Sequence, residues 1–320
     1  MFSYQKFLLL ILLAALNRNL YAQAKESNNP YLADPTIFYE KGRYYLYGTV
    51  GGNNDSGFKV FVSSDQKSWS DKGFVLKKGE SFGRKGFWAP QVFKYGQKYY
   101  MAYTADEHIA IAVADTPTGP FRQHIIRPLN KAVRMIDPFI FFDRSGKIYL
   151  YHVRLQEGNR IFIAEMKRDL SAIKEETVKE CIHASDNWED TKQASWKVTE
   201  GPTVFRHKGW YYMIYSANDF RNPDYAIGYA VARHPAGPWK KYVHNPILSK
   251  NNTGINGTGH GDLLTGNNGK LRYVFHVHNS SDKVAPRKTA IIDIQFKPEK
   301  NKPDKIIVNP PTFRLLHTAP

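Results

Sequence analysis

The chain has 320 residues, 45 of them Lys or Arg against 29 Asp or Glu, for a formal charge of +16. The basic residues are scattered over turns such as Lys77-Lys78 and Arg84-Lys85, not gathered on one element among aromatics, which argues against nucleic acid as a partner and for a solvated surface. A single cysteine, Cys181, excludes an intramolecular disulfide, so stability must come from core burial and strand pairing; no neighbouring motif marks this thiol as a nucleophile, and a buried inert role is expected.

Residues 1–24 read as a secretory signal peptide. Lys6 supplies the positive start, residues 7–16 the short apolar run, and Ala22-Gln23-Ala24 a small-x-small cleavage site. An uncleaved anchor is the rival reading, weakened by Asn17, Arg18 and Asn19. Without the segment the charge falls to +14, and residues 25–320 are expected to form one domain with no transmembrane segment. Export without disulfides suits a bacterial periplasm or cell surface.

From there one phrase recurs five times: a polar or acidic start, a short apolar strand, a Gly turn, and a second strand with aromatics. Asp34-Pro35-Thr36-Ile37-Phe38 leads to Tyr44-Tyr45, Trp88-Ala89-Pro90 to Tyr99-Tyr100, and Asp137-Pro138-Phe139 to Ile148-Tyr149. Glu200-Gly201-Pro202 leads to Tyr211-Tyr212, and His260-Gly261-Asp262 to Leu271-Arg272-Tyr273. Aligned on the Pro (or Gly261), the phrases are 55, 48, 64 and 59 residues apart. Third strands are expected near residues 58–63, 109–114, 161–166, 225–232 and 289–296. Two of these enter near-identical turns, Thr116-Pro117-Thr118-Gly119-Pro120 and His234-Pro235-Ala236-Gly237-Pro238. Helical periodicity is scarce, with room for a turn or two over residues 170–180, and residues 182–199 read as a long loop carrying Trp188 and Trp196. Strand repeats of this length predict an all-β, five-bladed β-propeller of about four antiparallel strands per blade.

Symmetry would then bring the five phrase starts around one axis. Three of them carry acids: Asp34, Asp137 and Glu200. An Asp-Pro at a strand start is a common turn device, and for any one of these residues that reading suffices. Three carboxyls crowded into one pocket are costly unless the crowding is used, and acetal hydrolysis uses it: one acid stays protonated while another stays ionised.

In the order and spacing of Asp34-Pro35-Thr36, Trp88-Ala89-Pro90, Ile136-Asp137-Pro138, Thr199-Glu200-Gly201-Pro202 and Gly259-His260-Gly261, the chain resembles family 43 of the glycoside hydrolases, five-bladed propellers acting on arabinose- and xylose-containing glycans. The resemblance implies an inverting enzyme with Asp34 as general base, Glu200 as general acid and Asp137 orienting Glu200 and raising its pKa, with about 6.5–9.5 Å between acid and base for a water. It places His260 at the channel, either near a calcium ion held mainly through water or hydrogen-bonded to protein, and assigns sugar contacts to Arg287. Trp88 is expected as a sugar-facing wall or blade core, Trp196 and Trp188 as outer subsites, and His152 and Arg154 at the pocket rim. No cofactor is required by this chemistry. The expected activity is release of terminal α-L-arabinofuranosyl units from a plant-type glycan, with β-D-xylosidase next, then endo-arabinanase or exo-galactanase; a non-catalytic glycan-binding propeller is the alternative of a different class. The Arg-Asp-Pro element of the retaining fructan-cleaving propellers is absent, since Ile136 precedes Asp137.

Overall fold

The computed structural model describes residues 30–318 except 53, 54, 267 and 268; the signal segment expected over residues 1–24 lies outside the described residues. Five antiparallel sheets follow one another along the chain. Blade 1 comprises Leu32–Glu40, Arg43–Val50, Gly57–Ser63 and Ser68–Lys77. Blade 2 has Trp88–Tyr95, Lys98–Ala105 and His108–Ala114, with a fourth pairing reduced to the bridge between Val113 and Arg122. Blade 3 contains Met135–Phe142, Ile148–Leu155, Asn159–Glu165 and Lys179–Ile182, and blade 4 Thr199–His207, Trp210–Ala217, Ala226–Ala232 and Lys240–Lys241. Blade 5 is built of Gly259–Thr265, Leu271–Val277, Lys288–Lys297 and Lys305–Leu315. The chain then returns to blade 1, where His317–Thr318 pairs in parallel with Ser68 and Trp69 and closes the ring. The region 170–180 supplies only a short 3-10 turn, Glu175–Thr177.

Burial runs almost unbroken along the inner strands because each blade is covered on both faces by its neighbours. Five separate cores result, one per blade interface. Between blades 1 and 2, for example, Tyr47, Phe58 and Val60 meet Phe87, Met101 and Tyr103; between blades 5 and 1, Val274 and Ile291 meet Leu46, Phe61 and Trp69. The first strand of each blade touches its two counterparts around the axis.

Every first strand carries a β-bulge at the same place. The register shifts across Ala33/Thr36, Trp88/Gln91, Ile136/Phe139, Glu200/Thr203 and Gly259/Gly261. At each bulge one residue adopts positive φ: Asp34 (48°), Ala89 (46°), Asp137 (55°), Gly201 (59°) and His260 (42°). Four of these five are not glycine, which is strain concentrated at one ring of the molecule. The N–H of each is held from the neighbouring blade. Ala89 donates to Thr49 Oγ1 (3.0 Å), Asp137 to Thr104 Oγ1 (3.0 Å), His260 to Ser216 Oγ (2.8 Å) and Asp34 to His276 Nδ1 (3.1 Å). The corresponding position of blade 3 is Val153, which has no acceptor, and there Gly201 N–H donates to the Asp137 carboxylate instead, at 3.1 Å.

Candidate active site

The bulges turn the strand starts toward the axis. Asp34, Asp137, Glu200, His260, Arg287, Trp88 and Trp196 all line one cavity of about 580 Å³. Beneath it a narrow channel is bordered by Asp34, Ala89, Asp137, Gly201 and His260, with Thr36, Gln91, Thr203 and Asp262 deeper. Glu200 does not reach this channel. It lies one residue ahead of its bulge, in register with Trp88 of blade 2, so these two side chains line the outer cavity and not the channel, while the bulge residues Asp34, Asp137 and His260 border both spaces. The acid and Trp88 therefore share a structural position two blades apart.

Asp34 is nearly inaccessible and surrounded by donors. Oδ2 accepts from Thr49 Oγ1 at 2.6 Å, and Oδ1 from Arg287 Nη1 at 3.1 Å. His260 Nδ1 lies 3.4 Å from Oδ1, and His276 Nδ1, which accepts the Asp34 backbone N–H, lies 3.3 Å from it. Burial alone would raise its pKa, but Arg287, with the Thr49 hydroxyl, overcomes this and holds Asp34 well below the usual carboxylate range. Arg287 also packs over Phe220 at 4.6 Å and meets His276 Nε2 at 3.2 Å, so its guanidinium is a fixture of Asp34 as well as part of the cavity wall. His276 is fully buried, and desolvation next to Arg287 lowers it to about 3, keeping it neutral.

Glu200 is treated differently. Its oxygens accept from Tyr225 Oη at 2.8 Å and Asn159 Nδ2 at 2.9 Å. Burial outweighs these donors and, with repulsion from Asp34, pushes Glu200 up to about 7. Asp137 is raised well above the usual carboxylate range by burial and by Glu200 and Asp34, against the Gly201 N–H and the charge of Arg287. His260 Nδ1 sits 3.8 Å from Asp137 Oδ2, and burial lowers its pKa. Its ring lies against Gly201, where a Cβ would come within 2.7 Å of His260 Cδ2.

Among the described residues no group of three or more His, Cys, Asp or Glu is arranged to hold a metal ion. Around His260 the carboxylates are engaged by Arg287, Thr49 and Gly201, so these side chains do not fit a directly ligated calcium ion.

Residues 183–198 reach the cavity as a pinned loop. Glu189, fully buried, accepts from Ser185 N, Asp186 N, Tyr215 Oη and Lys241 Nζ, tying the loop to blade 4. Trp196, 45 % exposed, stands at the mouth and donates its indole N–H to Asn159 Oδ1 at 2.9 Å. Trp188 does not line the cavity; it packs on Tyr215 and Gly228 inside blade 4. His152 and Arg154 also miss the rim. His152 is fully buried against Phe162, with Arg154 Nε 3.3 Å from its Nε2, because its place in the strand points it between blades. Cys181 is half-buried, and desolvation raises its thiol to about 12, so it offers no thiolate. Four supporting residues escape a reading of the phrase starts: Thr49, Asn159, Tyr225 and His276. Their signal is a polar side chain near a cavity-side end of a second or third strand, otherwise apolar.

A propeller whose axial cavity gathers three carboxyls, one held ionised and two pushed toward the protonated form, has the composition of a glycosidase site. The sequence model of Glycosyl hydrolases family 43 matches residues 28–301, and the chain belongs to that family. Its relatives include a β-D-galactofuranosidase of Aspergillus niger, 24 % identical over 92 % of this chain and 90 % of that protein. An extracellular endo-α-(1→5)-L-arabinanase of Bacillus subtilis is 25 % identical over 82 % of this chain and 84 % of that one. Among solved structures, an endo-1,4-β-xylanase of Bacteroides thetaiotaomicron superposes with a TM-score of 0.85 at 38 % identity, covering 92 % of this chain and 99 % of that one. The protein is thus a glycosidase acting on glycans.

Proposed function

We propose that the protein is an inverting glycosidase in which Asp34 is the general base and Glu200 the general acid. The observation that carries this is the opposite tuning of two carboxyls in one cavity: Arg287, with the Thr49 hydroxyl, favours the ionised form of Asp34, while burial keeps Glu200 protonated to near pH 7. Asp34 takes a proton from a water that attacks the anomeric carbon. Glu200 gives its proton to the departing glycosidic oxygen as that bond breaks. Asp137 supports proton retention on the pair by like-charge repulsion and is itself positioned by Gly201. Proton exchange with solvent then restores both groups. No organic cofactor enters this sequence.

The substrate reading is a terminal α-L-arabinofuranosyl unit on a plant-type polysaccharide or oligosaccharide, in line with relatives named for furanosyl linkages. A β-D-xylosyl substrate is the second reading, favoured by the 38 % identical structure named as a xylanase. Trp88 and Arg287 would bound the bound sugar, with His260 below it. Export to the periplasm or cell surface is proposed from residues 1–24 and from the extracellular relative. No helix among the described residues is long and apolar enough to cross a membrane.

Purified enzyme assayed on aryl arabinofuranoside, aryl xyloside and aryl galactoside decides the sugar. Asp34→Asn should abolish turnover of all of them. Glu200→Gln should spare aryl glycosides with good leaving groups far more than natural linkages, since the former need little protonation. Full activity in Asp34→Asn would remove Asp34 as the base, whereas no turnover of any glycoside by the wild-type protein would leave a glycan-binding propeller as the reading.

A further inference from the structure

Glu200 is gripped through a chain of hydrogen bonds that ends at the cavity mouth. Trp196 Nε1–H donates to Asn159 Oδ1 (2.9 Å), and Asn159 Nδ2–H donates to Glu200 Oε2 (2.9 Å). The chain has only one sensible direction. An indole N–H can donate but not accept, so it turns the Asn159 oxygen outward and the amide nitrogen inward. With a donor fixed on Oε2, a proton on that oxygen is disfavoured, and the acid proton is directed to Oε1, where the Tyr225 hydroxyl can accept as well as donate.

Both ends are anchored by backbone. Asn159 N–H donates to Lys197 O at 2.8 Å, Asn159 bridges Val198 in parallel, and Thr199 Oγ1 donates to Asn159 O at 3.1 Å. Gly158, at φ 118°, lets the two segments touch, for a Cβ there would lie 2.6 Å from Lys197 O. Asn159 is 9 % exposed, whereas Trp196 is 45 % exposed and lines the same cavity as Leu155, Phe220 and Arg221. A half-exposed, rigidly held indole flanked by apolar and polar groups suits the apolar face of a sugar ring.

We infer that Trp196 is the platform for the leaving-group sugar and, through Asn159, the positioning residue of the proton donor, so that occupation of that subsite by a second sugar sets Glu200 for transfer. The enzyme is thereby matched to glycosidic bonds whose departing side is itself a sugar. This rests on Glu200 being the general acid. Trp196 and Asn159 do no chemistry; they fix where the donor oxygen stands.

The test pairs Trp196→Phe, which keeps a ring but loses the N–H, with Trp196→Ala and Asn159→Ala, each assayed on an oligosaccharide and on a dinitrophenyl glycoside of the same sugar. Trp196→Phe and Asn159→Ala should lose kcat on the oligosaccharide by about tenfold, the upper scale of one hydrogen bond between neutral groups, and less than about twofold on the activated glycoside. Trp196→Ala should add a rise in KM on the oligosaccharide alone. Both variants that remove the amide's grip should move the alkaline limb of kcat/KM upward, because Asn159 favours the ionised carboxylate. The other groups facing Glu200 stay in place: Asp34, Asp137, Tyr225, Asp219, His260 and Arg287. Trp196→Phe behaving as wild type while Trp196→Ala fails would reduce Trp196 to a platform and overturn the positioning role. Equal losses on both substrates would do the same. Glu200→Gln run alongside separates the two claims: equal loss on both substrates in that variant removes the acid assignment itself, whereas a leaving-group signature there without one in Trp196→Phe removes only the coupling.

Discussion

Thr49→Val replaces a buried hydroxyl by a methyl of the same shape, and two bonds go with it. Thr49 Oγ1 accepts from Ala89 N–H at 3.0 Å and donates to Asp34 Oδ2 at 2.6 Å, and Thr49 is 3 % exposed. The stranded N–H costs about 1–3 kcal/mol and the lost bond to a carboxylate about 1.5–3 kcal/mol; sharing one environment, they should together destabilise by about 2–4 kcal/mol. For a chain of this size that is a fall in Tm of roughly 3–7 °C. The catalytic consequence has a definite sign. Asp34 is held below its unfolded value, so its interactions contribute stability that is present above the unfolded carboxylate range and is lost as pH falls through the folded value. Removing a donor raises the folded value, and the acidic limb of kcat/KM should move to higher pH. The stability deficit should be full at pH 7 and shrink below about pH 4, near the unfolded Asp value. Urea denaturation at several pH values and a pH–rate profile on an aryl glycoside measure both, with Thr49→Ser as the control that keeps the hydroxyl. A Thr49→Val enzyme within about 0.5 kcal/mol of wild type, with an unmoved acidic limb, would show that the inter-blade clasp holds neither the bulge nor the base.

Wild-type kcat/KM should decline on the alkaline side near pH 7 as Glu200 loses its proton, and in Glu200→Gln that limb should vanish from whatever activity remains on activated glycosides. Gly201→Ala should cost about 1–3 kcal/mol and most activity, because the φ of 59° and the His260 ring at 2.7 Å both oppose a Cβ; chemical denaturation and assay check it, and a silent substitution would contradict the packing at the axis. Lys241→Met leaves the Glu189 carboxylate buried without its cation, which should destabilise by about 3–5 kcal/mol and expose residues 183–198 to limited proteolysis; an unchanged cleavage pattern would argue that the loop does not need that anchor.

The five phrases made the blade count legible because each blade repeats the same strand–turn–strand chemistry, and the Pro or Gly after each bulge marks its place. Aligning on proline already sets Gly201, the bulge residue of blade 4, level with Asp34 and Asp137 and leaves Glu200 one residue ahead, beside Trp88; what the repeat does not tell is which space each position faces. A one-residue offset in a strand changes the face a side chain sees, which is why Glu200 lines the outer cavity and not the channel. The same alternation misplaced His152, whose neighbour Val153 holds the axial position. The partners Thr49 and His276 were invisible because their meaning depends on which blade lies next door, and that is a property of the closed ring rather than of any local segment.

Closure of that ring also dictates when the site can exist. Asp34 comes from the first strand, yet its N–H is held by His276 and its carboxylate by Arg287, 242 and 253 residues further on. A growing polypeptide that has completed four blades owns the proton donor but has no settled base, and its opening strand lacks the neighbour that makes the carboxylate acidic. Competence should thus arrive abruptly, with the docking of the fifth blade, and not build up blade by blade. Any partly folded form in which blades 1 and 5 have parted would be inert even with every other sheet intact.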